Sequence, residues 1–284
     1  LWWLPMRADW KRPQEWAGPA DGWKRIMMFV SYDGSDFHGW QSQGDGCAVQ
    51  DRLSEVISSL AEEDIQVYGS GRTDSGVHAL RQGCHFDTPL SISPEKYRMI
   101  FNTRLPRSIR VLYSGEAPEG FHARFSTQSR EYWYLIKEEK DMLPFDSRHI
   151  TQVKKFPDID VLNSYASAIE GTHDFTTFAS SKDISESKFR DIYLSSWDIM
   201  KDLYGFDVLR YRVAGNAFLY HQVRSMTGTM LEAALKGEDA VSFVSRLDAK
   251  DRTLALKTAP SDGLYLADVS YDEEKYRWFE DRYA

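Results

Sequence analysis

Between Arg25 and Val269 the chain writes nearly the same run of periodicities twice, and this repetition limits its possible folds more than any other feature. In the first half, Arg25 to Tyr32 is a strand-like run, and Val49, Leu53, Val56, Ile57 and Leu60 fall on one helical face. Ile65 to Tyr68 and Arg81 to Phe86 read as short strands. Ser93-Pro94 supplies a cap and a first-turn proline for a helix carried to about Phe101, and Ile109 to Tyr113 is a further strand. The second half opens with a strand from Arg130 to Lys137, then a helical stripe of Val161, Leu162, Tyr165, Ala166 and Ile169. Strands near Ile192 to Met200 and Phe206 to Val213 follow. A helix from Phe218 to Leu235, a shorter one near Ala240 to Leu247 and a strand from Leu264 to Val269 complete it.

Each half reads β-α-β-β-α-β, the ferredoxin-like order also used by RRM domains. The expected fold class is therefore α+β, with two tandem ferredoxin-like halves whose sheets meet at a central cleft. The expected domains are residues 24–117 and 118–272. They are flanked by an extension at 1–23, rich in tryptophan (Trp2, Trp3, Trp10, Trp16, Trp23), and a tail at 273–284.

Composition excludes several classes. A chain of 284 residues with 42% apolar and 27% charged residues buries a sizeable core. No apolar run approaches the roughly 20 residues that span a bilayer, and Leu1 to Pro5 is too short for a signal peptide. Cys47 and Cys84 have neither metal spacing nor the density of a secreted scaffold, so a reduced, cytoplasmic protein with no membrane partner is expected. The net charge of −8 argues against a coat of basic charge but leaves room for a local basic surface.

Chemistry concentrates in Gly69 to Phe86, GSGRTDSGVHALRQGCHF. Gly69, Gly71 and Gly76 permit a sharp loop that presents Arg72, Thr73 and Asp74 at the end of a strand. Arg72 is two residues from Asp74, close enough for its guanidinium to favour the carboxylate form. A fixed carboxylate on a loop suits nucleophilic or base chemistry, and equally well closes a turn by accepting backbone hydrogen bonds.

Gly71-Arg72-Thr73-Asp74-Ser75-Gly76-Val77-His78 resembles the catalytic loop, G-R-T-D-x-G-V-H, of the tRNA pseudouridine synthases of the TruA family. Further segments resemble that family in the same order. They are Tyr32 to Gln41 (Y-D-G-x-x-x-x-G-W-Q), Asn102 to Pro106 (N-x-x-L-P), Phe121 to Ser126 (F-H-A-R-F-S) and Arg130 to Tyr134 (R-x-Y-x-Y). Then come Gly171 to Phe178 (G-x-H-D-F-x-x-F), Phe218 to Arg224 (F-x-x-x-x-V-R) and Ala259 to Leu266 (A-P-x-x-G-L-Y-L). Ser225 stands where the family usually has asparagine.

The resemblance implies that Asp74 is the catalytic residue and that Arg224 pairs with it. It implies that Tyr132 stacks on the target base while Leu264 packs on the uracil from the other side. Arg72 then joins Arg224 in holding the carboxylate charged. It further implies a deep, basic cleft and isomerisation of uridine to pseudouridine in the anticodon stem-loop of tRNA. The remaining expectations are the tRNA anticodon arm as partner, a homodimer, no cofactor and no metal. Read as bare residues, Tyr132, Tyr134 and Leu264 are core positions, and His122 and Arg124 serve either as ties between the halves or as RNA contacts. His173 and Asp174 have no third ligand at suitable spacing. Two rivals remain open, a non-enzymatic RNA-binding protein of ferredoxin-like fold and a hydrolase that releases uracil.

Overall fold

The structure, a computed structural model, describes residues 18–271. The first half contains β1 (Lys24–Tyr32), α1 (Val49–Ala61), β2 (Tyr68–Gly69), β3 (His78–Thr88), α2 (Lys96–Arg104) and β4 (Ile109–Glu116). The second begins with β5 (Ser129–Glu138), β6 (Thr151–Val153), α3 (Ile159–Ala168), β7 (Gly171–Asp174) and β8 (Phe189–Lys201). It continues with β9 (Asp207–Gly215), α4 (Gln222–Leu235), α5 (Ala240–Asp248) and β10 (Leu264–Ser270). Trp2, Trp3, Trp10, Trp16 and the tail at 273–284 lie outside the described residues, whereas Trp23 packs half-buried on the core.

The fold is mixed α+β on one ten-stranded sheet, in the order β4-β1-β3-β10-β5-β9-β8-β7, with β2 beside β3 and β6 beside β5. The sheets of the two halves, expected to meet, join edge to edge into one continuous sheet. β10 runs parallel to β3, with Tyr265 opposite His78 and Leu266 opposite Ala79, and antiparallel to β5 on its other side.

Period-two alternation explains how the strands bury both faces. Ile26, Met28, Val30 and Tyr32 of β1 join the main core with Leu53 and Ile57 of α1 and Tyr97 and Phe101 of α2. Met27 and Phe29 face the other way, onto Phe121 and Ala123. In the second half Tyr134 and Ile136 of β5 meet the same core as Leu162 and Tyr165 of α3 and Met226 of α4. Asp158 caps α3 by accepting from the Asp160 and Val161 amides.

The strands β6 and β7 were not expected, and in two further elements side chains that take backbone partners move the boundary from the sequence pattern. The strand expected from Ile65 shrinks to Tyr68–Gly69. Ser58 Oγ accepts from the Ile65 amide at 2.9 Å, Ser54 Oγ from the Val67 amide at 3.0 Å, and Gln50 Nε2 donates to the Val67 carbonyl at 2.7 Å. The segment therefore runs along α1 rather than along a strand. Similarly, α4 starts at Gln222 rather than Phe218. The Leu219 amide donates to Gln222 Oε1 at 2.8 Å and the Tyr220 amide to Asp183 Oδ2 at 2.6 Å, which withdraws both from a helical ladder.

Candidate active site

Asp74 lies on the loop between β2 and β3, and this loop is gripped from the first half. The Trp40 amide donates to the Thr73 carbonyl at 3.1 Å, and Tyr32 and Thr73 share a hydrogen bond of 2.8 Å between their hydroxyls. Gln82 Nε2 donates to the Gly71 carbonyl at 2.9 Å. Gly39 shows why the Gly-Trp-Gln segment accompanies this loop. Its φ is +85°, and a Cβ there would fall 2.4 Å from the Thr73 carbonyl oxygen and 3.0 Å from the Asp74 carbonyl carbon. A side chain at Gly39 would push Asp74 out of place. Trp40 is buried with its indole against Gly69.

The carboxylate finds its partners in the second half. Arg224 Nη1 donates to Asp74 Oδ2 at 3.1 Å, and His221 Nε2 lies 3.3 Å from the same oxygen. Arg224 Nε donates to the Ala259 carbonyl at 2.8 Å, so the guanidinium is held on two sides. Gly228, one turn further along α4, allows this approach, since a Cβ there would fall 1.9 Å from the Lys257 carbonyl oxygen. His221 and Arg224 both belong to the start of α4, whose dipole favours an anion at that end. Asp74 Oδ1 accepts no hydrogen bond among the described residues. One oxygen is held and the other is not.

Arg72 corrects an expectation. It is exposed and makes no ion pair or hydrogen bond among the described residues, so it does not hold the Asp74 carboxylate. Thr73 between them is anchored inward by Tyr32 and Trp40, which leaves Arg72 on the solvent side of the loop. His221 is the residue that sequence reasoning missed. The available signal was its place three residues before Arg224, a spacing that puts two side chains on one helical face. Its φ of +62° is unusual for a non-glycine residue. Burial pushes its pKa down; the Asp74 charge opposes this and Arg224, Arg252 and Lys182 reinforce it, so the imidazole is neutral at pH 7.

Tyr132 and Leu264 come from β5 and β10. Leu264 pairs with Tyr134 and Leu266 with Tyr132, which makes Leu264 the diagonal neighbour of Tyr132 on the same face. Both are buried, and Phe218 meets the Tyr132 ring edge-on at 5.2 Å. Burial pushes the Tyr132 hydroxyl up to about 12, Arg130 opposing and Asp74 adding to the shift, so it is a protonated phenol at neutral pH. That hydroxyl makes no hydrogen bond among the described residues. Tyr134, by contrast, shares one with Thr151 at 2.6 Å and donates to the Pro260 carbonyl at 2.9 Å, as a core residue should.

Other motif residues act as ties. His122 Nδ1 accepts from the Arg124 amide at 3.1 Å, while Arg25 donates to the Phe121 carbonyl at 2.7 Å. Asp174 accepts from Thr176, and His173 faces the Glu170 carbonyl. Ser225 Oγ is buried without a partner among the described residues. The histidines are less scattered than expected, because Asp33, His78 and His149 meet. His78 Nδ1 accepts from the Gly34 amide at 3.1 Å, its Nε2 faces the Arg148 carbonyl at 2.9 Å, and His149 Nε2 lies 2.9 Å from Asp33. Both ring nitrogens of His78 are thereby engaged in joining loops of the two halves.

A carboxylate held on one oxygen beside a buried aromatic ring suits an enzyme that works on a planar ring substrate. A family profile described as tRNA pseudouridine synthase matches residues 28–126 and 165–272. The tRNA pseudouridine synthase A of Bacillus pumilus (strain SAFR-032) is 40% identical over 250 residues, 87% of this chain and 99% of that protein. The protein of the same name from Bacillus subtilis (strain 168) gives the same identity and coverage. That from Borreliella burgdorferi (strain ZS7) is 36% identical over 250 residues, 88% of this chain and all of its own length (100%). The chain belongs to the tRNA pseudouridine synthase family.

Proposed function

We propose that this chain isomerises uridine to pseudouridine in the anticodon stem-loop of tRNA, with Asp74 as the catalytic residue. The observation that carries this reading is the one-sided grip on Asp74, with Arg224 and His221 on Oδ2 and nothing on Oδ1 among the described residues. The target base must leave its stack to reach such a site. Oδ1 then acts at the sugar, either by attacking C1′ or by taking the C2′ proton, as the N1–C1′ bond breaks. The detached uracil turns between Tyr132 and Leu264, and C5 bonds to C1′ as the bond from Oδ1 to C1′ breaks or the C2′ proton is returned. The C5 proton then passes to solvent and N1 takes one up, which leaves Asp74 as it began. The base keeps all its non-hydrogen atoms and exchanges one proton, no net oxidation or reduction occurs, and no cofactor or metal is required. The protonated Tyr132 hydroxyl, without a partner of its own, is available to hold a uracil oxygen.

The strand orders β4-β1-β3-β2 and β10-β5-β9-β8 support the reading as two ferredoxin-like halves, at 24–117 and 118–272. The same reading takes the working unit to be a cytoplasmic homodimer, two copies lengthening the positive track for the anticodon arm. Cys47 and Cys84 are unpaired, and no helix of the described residues is long and apolar enough to cross a membrane. A monomer mass by light scattering, with full activity at that concentration, contradicts the dimer.

Incubation of purified protein with unmodified tRNA, followed by nucleoside chromatography, tests the reaction. Pseudouridine appears in the anticodon stem-loop, free uracil does not, and EDTA leaves the yield unchanged. Released uracil favours a hydrolase, bound but unaltered tRNA favours a binding protein, and a loss in EDTA restored by zinc reveals a metal.

A further inference from the structure

The segment from Phe218 to Arg224 runs along the site and sends nearly every residue inward. Phe218 meets Tyr132, Leu219, Gln222 and Val223 are buried, and His221 and Arg224 reach Asp74. Tyr220 is the exception, 43% exposed. Its ring lies 4.0 Å from that of His221, at 33°. Among the described residues it has no other ring contact, and its hydroxyl makes no hydrogen bond.

This exposure is built in. The Tyr220 amide donates to Asp183 Oδ2 at 2.6 Å, and its carbonyl accepts from the Ser180 amide at 2.9 Å. Asp183 is fixed in turn by Lys188 Nζ at 2.5 Å and the Ser185 amide at 2.9 Å. Beside it, Lys182 is exposed and pairs with no carboxylate among the described residues, yet its charge is felt at His221. A half-open ring on a fixed backbone thus lies against His221, the neighbour of Asp74, with Lys182 next in the chain to the aspartate that fixes it.

We propose that Tyr220 is a stacking platform for a nucleotide adjacent to the target uridine, with Lys182 on a neighbouring phosphate. The proposal rests on the reading of the chain as a tRNA-modifying enzyme and adds a second base-binding subsite to it. With the target base at Asp74, the strand continues past His221, and Tyr220 is the next ring it meets. Stacking accepts any base, since every base has a π-face, so such a platform aligns the strand without selecting its sequence. Its backbone is already fixed, so binding costs only the freedom of two side-chain torsions.

Filter binding of an unmodified anticodon stem-loop RNA to wild type, Tyr220→Phe, Tyr220→Leu and Tyr220→Ala tests this, alongside the same RNA carrying 2-aminopurine next to the target uridine. The leucine and alanine variants bind about tenfold more weakly, whereas phenylalanine stays within about twofold. Fluorescence quenching on binding persists with phenylalanine and is lost without the ring. Lys182→Ala lowers the slope of log affinity against log salt by about one. Wild-type affinity in the leucine variant, equal weakening by phenylalanine and leucine, or quenching that survives removal of the ring overturns the platform. An unchanged salt slope removes Lys182 from it. Failure of the wild-type protein to bind this RNA strikes the tRNA reading itself, and the platform with it.

Discussion

Asp74→Asn abolishes pseudouridine formation in single-turnover assays, a loss on the order of 10⁴-fold or more, and leaves tRNA affinity within a few fold. Asparagine is nearly the same size as aspartate, and its carbonyl can still accept from Arg224. The Arg224 guanidinium can only donate to Oδ2, so the amide settles with its oxygen there and its NH₂ where Oδ1 stood. The group offered to the sugar is then a neutral donor, neither nucleophile nor base. A neutral or anionic group at position 74 does not bind phosphate, so binding is expected to persist. Activity within about tenfold of wild type returns Asp74 to the role of turn former, and the mechanism falls with it.

Arg224→Lys lowers kcat by about 10- to 100-fold with little change in KM. Arginine donates to Asp74 from Nη1 and to the Ala259 carbonyl from Nε at once, and lysine has a single head that cannot do both. A charge-assisted hydrogen bond contributes about 1.5–3 kcal/mol, and each 1.4 kcal/mol or so is tenfold in rate. If the ammonium serves Asp74, the Ala259 carbonyl loses its side-chain donor, so Tm falls as well. Steady-state kinetics on unmodified tRNA decide it. A raised KM with unchanged kcat means that Arg224 binds RNA and does not hold the carboxylate.

Much of this molecule was legible because its signals are periodic. The stripe of α1, the apolar run of β1, the alternation of β5 and the loop around Asp74 all occur where residue spacing places them. The rest depends on contacts between residues far apart in the chain. Nothing local in Ile65 to Val67 reports that Ser54, Ser58 and Gln50 will take its backbone groups. Proximity in sequence misled for Arg72, whose neighbour Thr73 is the residue drawn inward. Arg224 and His221 reach Asp74 from 150 and 147 residues away, and only the packing of α4 brings them there.

The insertion of β10 between β3 and β5 has a consequence for how the enzyme comes into being. During synthesis the Asp74 loop leaves the ribosome early, its first-half grip formed by Tyr32, Gly39 and Trp40. Until the segment Leu264–Ser270 has been made, nothing can join β3 to β5, and Leu264 is missing from beside Tyr132. Pairings between such distant segments form slowly. If Asp74 acts as proposed, a chain truncated before Leu264 keeps the carboxylate but lacks one wall of its pocket, and is expected to form no pseudouridine.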